Sequence, residues 1–230
     1  MTNPYEEFFE NPLYGLFGPL VWPGTWSRIF YLLLGLPIGV AWFTFYVTGL
    51  SMGIGLFILA VGVLILGMVF FAALPLGTAE RWLANRLLDA DVAPTGFSAP
   101  DEDEGFVAWA RETASNPVTW KTHLFLLARF PLGLASWVIA VVALSVAGAF
   151  TFAPVILALG GEVNLGWWTP ATPLEAFALT AVGLVSVVLT VHLLNGIAWL
   201  WGACARLLLG RRAAVGNEET ALTPARAERA

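Results

Sequence analysis

Titratable side chains are scarce in this chain, so any polar residue that falls inside an apolar run is a candidate for chemistry. His192 and Asn195 stand three residues apart between Glu175 and Arg206, an interval without Asp, Glu, Lys or Arg. On a helix that spacing puts both on a similar face. Arg129 opens another such interval, which ends at Glu162. Polar groups at these positions are costly in a bilayer and read first as a ligand or relay site. The plainer alternative for His192 and Asn195 is an interhelical hydrogen bond that fixes packing. For Arg129 it is a side chain that snorkels to the interface, with an anionic lipid or ligand as the rarer use. His123, close to Lys121 at the start of an apolar run, reads as an interfacial, solvated histidine.

One intramembrane histidine with no intramembrane acid does not make a zinc or haem site, so neither metal nor cofactor is expected. The sequence has no phosphate loop, no HExxH, no GxSxG and no kinase signature. It supplies no catalytic residue, and a non-enzymatic role is expected. The single cysteine, Cys204, excludes an intrachain disulfide.

The elements that must carry these residues follow from composition. Of 230 residues, 58% are hydrophobic and 12% charged, and the mean hydropathy is +0.77, outside the range of ordinary soluble domains. The net charge of −5 sums scattered acids without a basic patch, which argues against nucleic acid as a partner. No charge falls between Arg28 and Glu80. That run is long enough for two crossings of about 20 residues each, and the stretch Thr48-Gly49-Leu50-Ser51-Met52-Gly53-Ile54-Gly55 reads as the turn between them. Spans are expected near 29–48, 53–77, 123–150 and 176–204, with an outer loop at 160–175. Trp167 and Trp168 of that loop suit the headgroup layer. Glycines 49, 53, 55, 62, 67, 183, 196 and 202 read as close-packing positions in a bundle.

The first residues are acidic and proline-rich, unlike a signal peptide. In a four-span arrangement all eleven basic residues, Arg28, Arg81, Arg86, Arg111, Lys121, Arg129, Arg206, Arg211, Arg212, Arg226 and Arg229, fall on one side. The positive-inside rule makes that side cytoplasmic, with both termini, in a prokaryotic inner (plasma) membrane.

An internal repeat organises the spans. At an offset of 94 residues, Thr25, Trp26, Leu32, Leu33, Pro37 and Gly39 match Thr119, Trp120, Leu126, Leu127, Pro131 and Gly133. The second members of the pairs also resemble one another, Ala84-Asn85-Arg86-Leu87-Leu88 with Cys204-Ala205-Arg206-Leu207-Leu208. The fold class is therefore an all-α membrane protein, four transmembrane helices arranged as two parallel-repeat helical hairpins. Pro37 and Pro131 each remove a backbone donor about two turns into a span and predict a kink there. A signalling hinge or a fixed packing kink would both use it.

Five segments are expected: an interfacial N-terminal segment, 1–24; a first hairpin, 25–88; a cytoplasmic connection, 89–118; a second hairpin, 119–210; and a disordered tail, 211–230. In the connection, Asp101-Glu102-Asp103-Glu104 should open a short helix through about Ala114. Its face of Phe106, Trp109, Ala110 and Thr113 suits the membrane surface.

The paired Trp-x(10)-Pro-x-Gly elements, the Gly49–Gly55 stretch and the Glu80-Arg81 through Leu87-Leu88 exit resemble the sensor domain found at the N-terminus of many actinobacterial and haloarchaeal histidine kinases, over about residues 24–210. The resemblance implies no catalytic residues and no assigned ligand. With neither the dimerisation-histidine helix nor the ATP-binding domain of those kinases, the chain is expected to relay a membrane or ligand signal to a separate protein. The expected partners are the lipid bilayer and a kinase, regulator or membrane complex, with homodimerisation left open. The alternatives are a structural or accessory subunit of a larger membrane complex and, third, a small-solute transporter, which the sparse intramembrane polarity disfavours.

Overall fold

The computed structural model describes residues 12–94 and 105–210, apart from 167 and 171. These residues form helices without any strand: α1 (Pro12–Val21), α2 (Pro23–Gly55), α3 (Val61–Leu88), α4 (Phe106–Ser115), α5 (Pro117–Thr151), α6 (Ala153–Ala158) and α7 (Pro173–Leu209). Four of them, α2, α3, α5 and α7, are long and apolar enough to cross a membrane, and the chain is a multi-pass membrane protein. Side chains such as Ile58 (94% exposed), Leu64 (74%) and Met68 (70%) need lipid around them. The expected N-terminal residues before 12, the acids Asp101–Glu104 and the tail after 210 lie outside the described residues.

Each long helix runs further than its charge-free core. Proline at the first helical position starts α2, α5 and α7, where its missing N–H leaves no bond unmade. Asn116 caps α5 by accepting from Val118 N at 2.9 Å, and Thr172 caps α7 through a capping box with Glu175. Both Pro37 and Pro131 lie inside continuous helices, as does Pro75 in α3.

The reversal between α2 and α3 falls at Leu56–Ala60, built on a single 3-10 turn, Phe57–Leu59, and a left-handed Ala60, and not at Thr48–Gly55. Helical hydrogen bonds meet no competing water in a bilayer, so glycines there do not end the helix. Gly49 and Gly53 serve contact instead, for Val69 and Leu66 of α3 fill the room their Cβ atoms would take.

The most extensive pairing is between the first helices of the two hairpins, α2 and α5, followed by α5 with α7 and α2 with α3. It is close because it is backbone on backbone. A Cβ on Gly133 would lie 2.5 Å from Gly35 O, and one on Gly39 would lie 2.8 Å from Arg129 O. Residues 35 and 129, and 39 and 133, are repeat mates at the offset of 94. The same contact is therefore made twice with the roles exchanged, as across a two-fold axis.

The repeat also reaches further back than Thr25. Helix α4 is α1 displaced by 94 residues, end for end, and α5 begins where α2 does. The indole of Trp26 donates to Leu20 O at 3.2 Å and that of Trp120 to Ala114 O at 2.9 Å. Each hairpin thus carries a short leading helix tied to its first span. Helix α4 starts at Phe106 after Gly105, and its Phe106 and Trp109 rings pack on Phe71 of α3.

Candidate functional site

A charged junction joins the four spans near the end of the bundle that carries the basic residues. Arg129 of α5 is fully buried, and Glu80 of α3 is 1% exposed. Arg129 Nε lies 3.3 Å from Glu80 Oε1, an ion pair without hydrogen-bond geometry. The same carboxylate oxygen accepts from Trp42 Nε1 of α2 at 2.7 Å. Arg129 Nη1 donates to the Tyr31 hydroxyl of α2 at 2.9 Å. The guanidinium lies 4.5 Å from the Tyr31 ring and 4.7 Å from the Trp201 ring of α7, distances at which ring quadrupoles attract a cation. One cluster thus takes a side chain from every span.

The expectation that Arg129 snorkels is overturned. Arg129 instead turns into the bundle, fully buried against Glu80, Tyr31 and Trp201. The sequence reading also misses the acid, because α3 continues through Glu80 and buries its carboxylate against Arg129. Counted from the outer turns, Glu80 is twenty residues past Ala60 and Arg129 twenty-two before Thr151. Both sit at one edge of a hydrocarbon layer about 20 helical residues deep. Glu80 Oε2, Arg129 Nη2 and the Tyr46 hydroxyl are buried without a hydrogen-bond partner. Pairing has therefore not removed all of the desolvation cost.

The other predicted pair is not brought into this cluster as a unit. Asn195 is buried; its Nδ2 donates to Thr25 Oγ1 at 3.2 Å and to Val191 O at 2.9 Å, and its Oδ1 accepts from Arg28 Nη1 at 3.1 Å. His192 is half-buried, with Nδ1 2.9 Å from Val188 O of its own helix. Asn195 is thus a link between α7 and α2. His123 is not a solvated interfacial residue. It lies among the rings of Tyr46, Phe70 and Trp120 at 4.9–5.8 Å, its Nδ1 is 2.8 Å from Thr119 O, and its Nε2 is buried without a partner.

Below the charged junction the segment leaving α3 is clamped to α7. Asp89 and Asp91 adopt left-handed backbone, φ 51° and 48°, and turn Ala90 and Val92 inward to 1% and 3% exposure. The Asn85 side chain holds Val92 twice, accepting from its N–H at 2.7 Å and donating to its carbonyl at 3.1 Å. Arg206 donates to Ala90 O at 3.2 Å and Arg81 to Leu209 O at 3.3 Å. Here arginines serve the carbonyl ends of helices, where a cation is favoured.

A family model described as "Putative sensor" matches residues 31–209. The chain belongs to this family. The match covers both hairpins, in agreement with the resemblance carried by the paired Trp-x(10)-Pro-x-Gly elements. No curated protein and no solved structure matches the chain. Among the described residues no three His, Cys, Asp or Glu side chains group as metal ligands.

A sequence signal for the missed partner exists in the charge pattern of this chain. Glu80 ends the first charge-free run and Arg129 begins the second. Antiparallel neighbours with opposite charges at the same distance from their outer turns are placed to meet.

Proposed function

We propose that this sensor-family protein is a non-catalytic membrane sensor that relays a change in helix packing to a separate cytoplasmic partner. The observation that carries this reading is the Arg129–Glu80 junction, which takes one side chain or more from each of the four spans. A displacement of any span alters a buried ion pair. Buried charge pairs have few acceptable arrangements, which favours discrete states over continuous deformation. The clamped exit of α3 is the nearest surface on which such a change would be read. Read with the positive-inside rule, the eleven basic residues support an orientation with that end, and both termini, on the cytoplasmic side. A two-state element biased by the membrane is what a sensor requires.

The experiment is a gentle-detergent pulldown of tagged protein from its native membrane, read by mass spectrometry, for the native chain and for Arg129→Gln and Asn195→Ala. Recovery of a kinase or transcriptional regulator, weakened in Arg129→Gln at equal amounts of folded protein, supports relay. Recovery of a stoichiometric set of other membrane subunits, unchanged in both variants, would make the chain a structural subunit instead.

A further inference from the structure

The two hairpins differ in how an indole is supplied beside the first helix of each. In the first, Trp42 reaches from α2 to Glu80 of α3. Its mate at the offset of 94 is Ser136 of α5, and the indole on that side comes instead from α7, Trp201, which donates to Ser136 Oγ at 2.9 Å. With a hydroxyl where the repeat has an indole, a groove of about 180 Å³ remains between α5 and α7, walled by Leu132, Ala135, Ile139 and Cys204 among others, with Ser136 and Trp201 on its lining.

We propose that this groove binds one acyl chain of a bilayer phospholipid. It opens between two membrane-crossing helices, and its rim residues Leu132 and Ile139 are exposed at 50% and 41%, so it is continuous with the lipid-facing surface. Its walls are apolar except for Ser136, whose hydroxyl is already committed, donating to Leu132 O at 2.8 Å while accepting from Trp201. A polar ligand would find nothing to bond. The volume is that of a single narrow apolar guest, since dry apolar cavities of about 150 Å³ take a molecule the size of benzene. A helix of another protein would insert no more than one side chain. A flexible chain from the surrounding bilayer fills the space without ordering a second protein. The occupant would lie against Trp201, whose ring is 4.7 Å from the Arg129 guanidinium. The site itself does not depend on signalling.

The test is photolabelling of the full chain in liposomes of phosphatidylglycerol and phosphatidylcholine that contain a phospholipid with a diazirine in its acyl chain, with adducts mapped by mass spectrometry. Adducts should concentrate on residues 132–139 and 197–204. Ser136→Trp, which restores the indole of the repeat mate, should reduce them several-fold while adducts at Leu64 and Met68 stay unchanged. Ala135→Phe narrows the same groove from an exposed position and gives the same result should Ser136→Trp fail to fold. Labelling spread evenly over exposed helix faces, or undiminished by Ala135→Phe, overturns the proposal. Protein–protein crosslinks confined to this face would overturn it in favour of a second copy of the chain.

Discussion

Arg129 is wholly enclosed by side chains of the other three spans, so its charge is tolerable only while Glu80, Tyr31 and the two facing rings stay in place. Removing one member of a buried pair leaves the other charge uncompensated, whereas removing both is far milder. Glu80→Ala should therefore cost about 3–5 kcal/mol, seen as a large drop in apparent Tm in detergent by size-exclusion thermal shift. The double variant Glu80→Leu/Arg129→Met should recover much of that loss. A double variant as unstable as the sum of the singles would mean that the two residues do not interact. At this scale the sequence was legible in part. Asn195 stood out as polar in an apolar run, and it is buried and bonded across helices. Glu80 did not, because the charge-free run ends at Ala79, while α3 continues for nine residues beyond it. Nor did the fate of Arg129, because whether a long side chain snorkels or turns inward depends on the face it occupies, and that is set by packing.

Among elements, the close crossing of α2 and α5 is held by the absence of two side chains. Gly133→Ala would place a Cβ 2.5 Å from Gly35 O, a backbone atom that cannot step aside, while a Cβ at Gly196 meets nothing within 4 Å. Gly133→Ala should lower the apparent Tm sharply. Gly196→Ala should leave it equal or raise it, since alanine's better helix propensity adds up to about 1 kcal/mol of stability. Thermal unfolding of both variants in one detergent checks the contrast. The repeat was visible in sequence from Thr25 onward because identical residues recur there. Its leading helices α1 and α4 were not paired, since their residues differ almost throughout and only Pro23 and Pro117 at the starts of α2 and α5 mark the shared boundary. The turn was misplaced for a related reason. Glycine signals a break in water, yet in a bilayer it signals contact.

For the whole molecule, hydropathy was enough to give four spans, because backbone that crosses lipid must be helical. What sequence alone did not give was the coupling between them, which rests on residues far apart in the chain. Two predictions belong here. In a Cys204→Ala background, Leu159→Cys, exposed beyond α6, should react with a membrane-impermeant maleimide on intact cells. Glu112→Cys, exposed on α4, should react only after lysis. The reverse pattern would invert the orientation. The relay itself predicts that disturbing the charged junction loosens the clamped exit of α3, which lies more than thirty residues from Arg129 in sequence. Hydrogen–deuterium exchange of the full chain in lipid nanodiscs, native against Arg129→Gln, measures this directly. The account predicts faster exchange at the Ala90 and Val92 amides as well as around residue 129. An unchanged exit segment, with every difference confined to the turns beside residue 129, would contradict it.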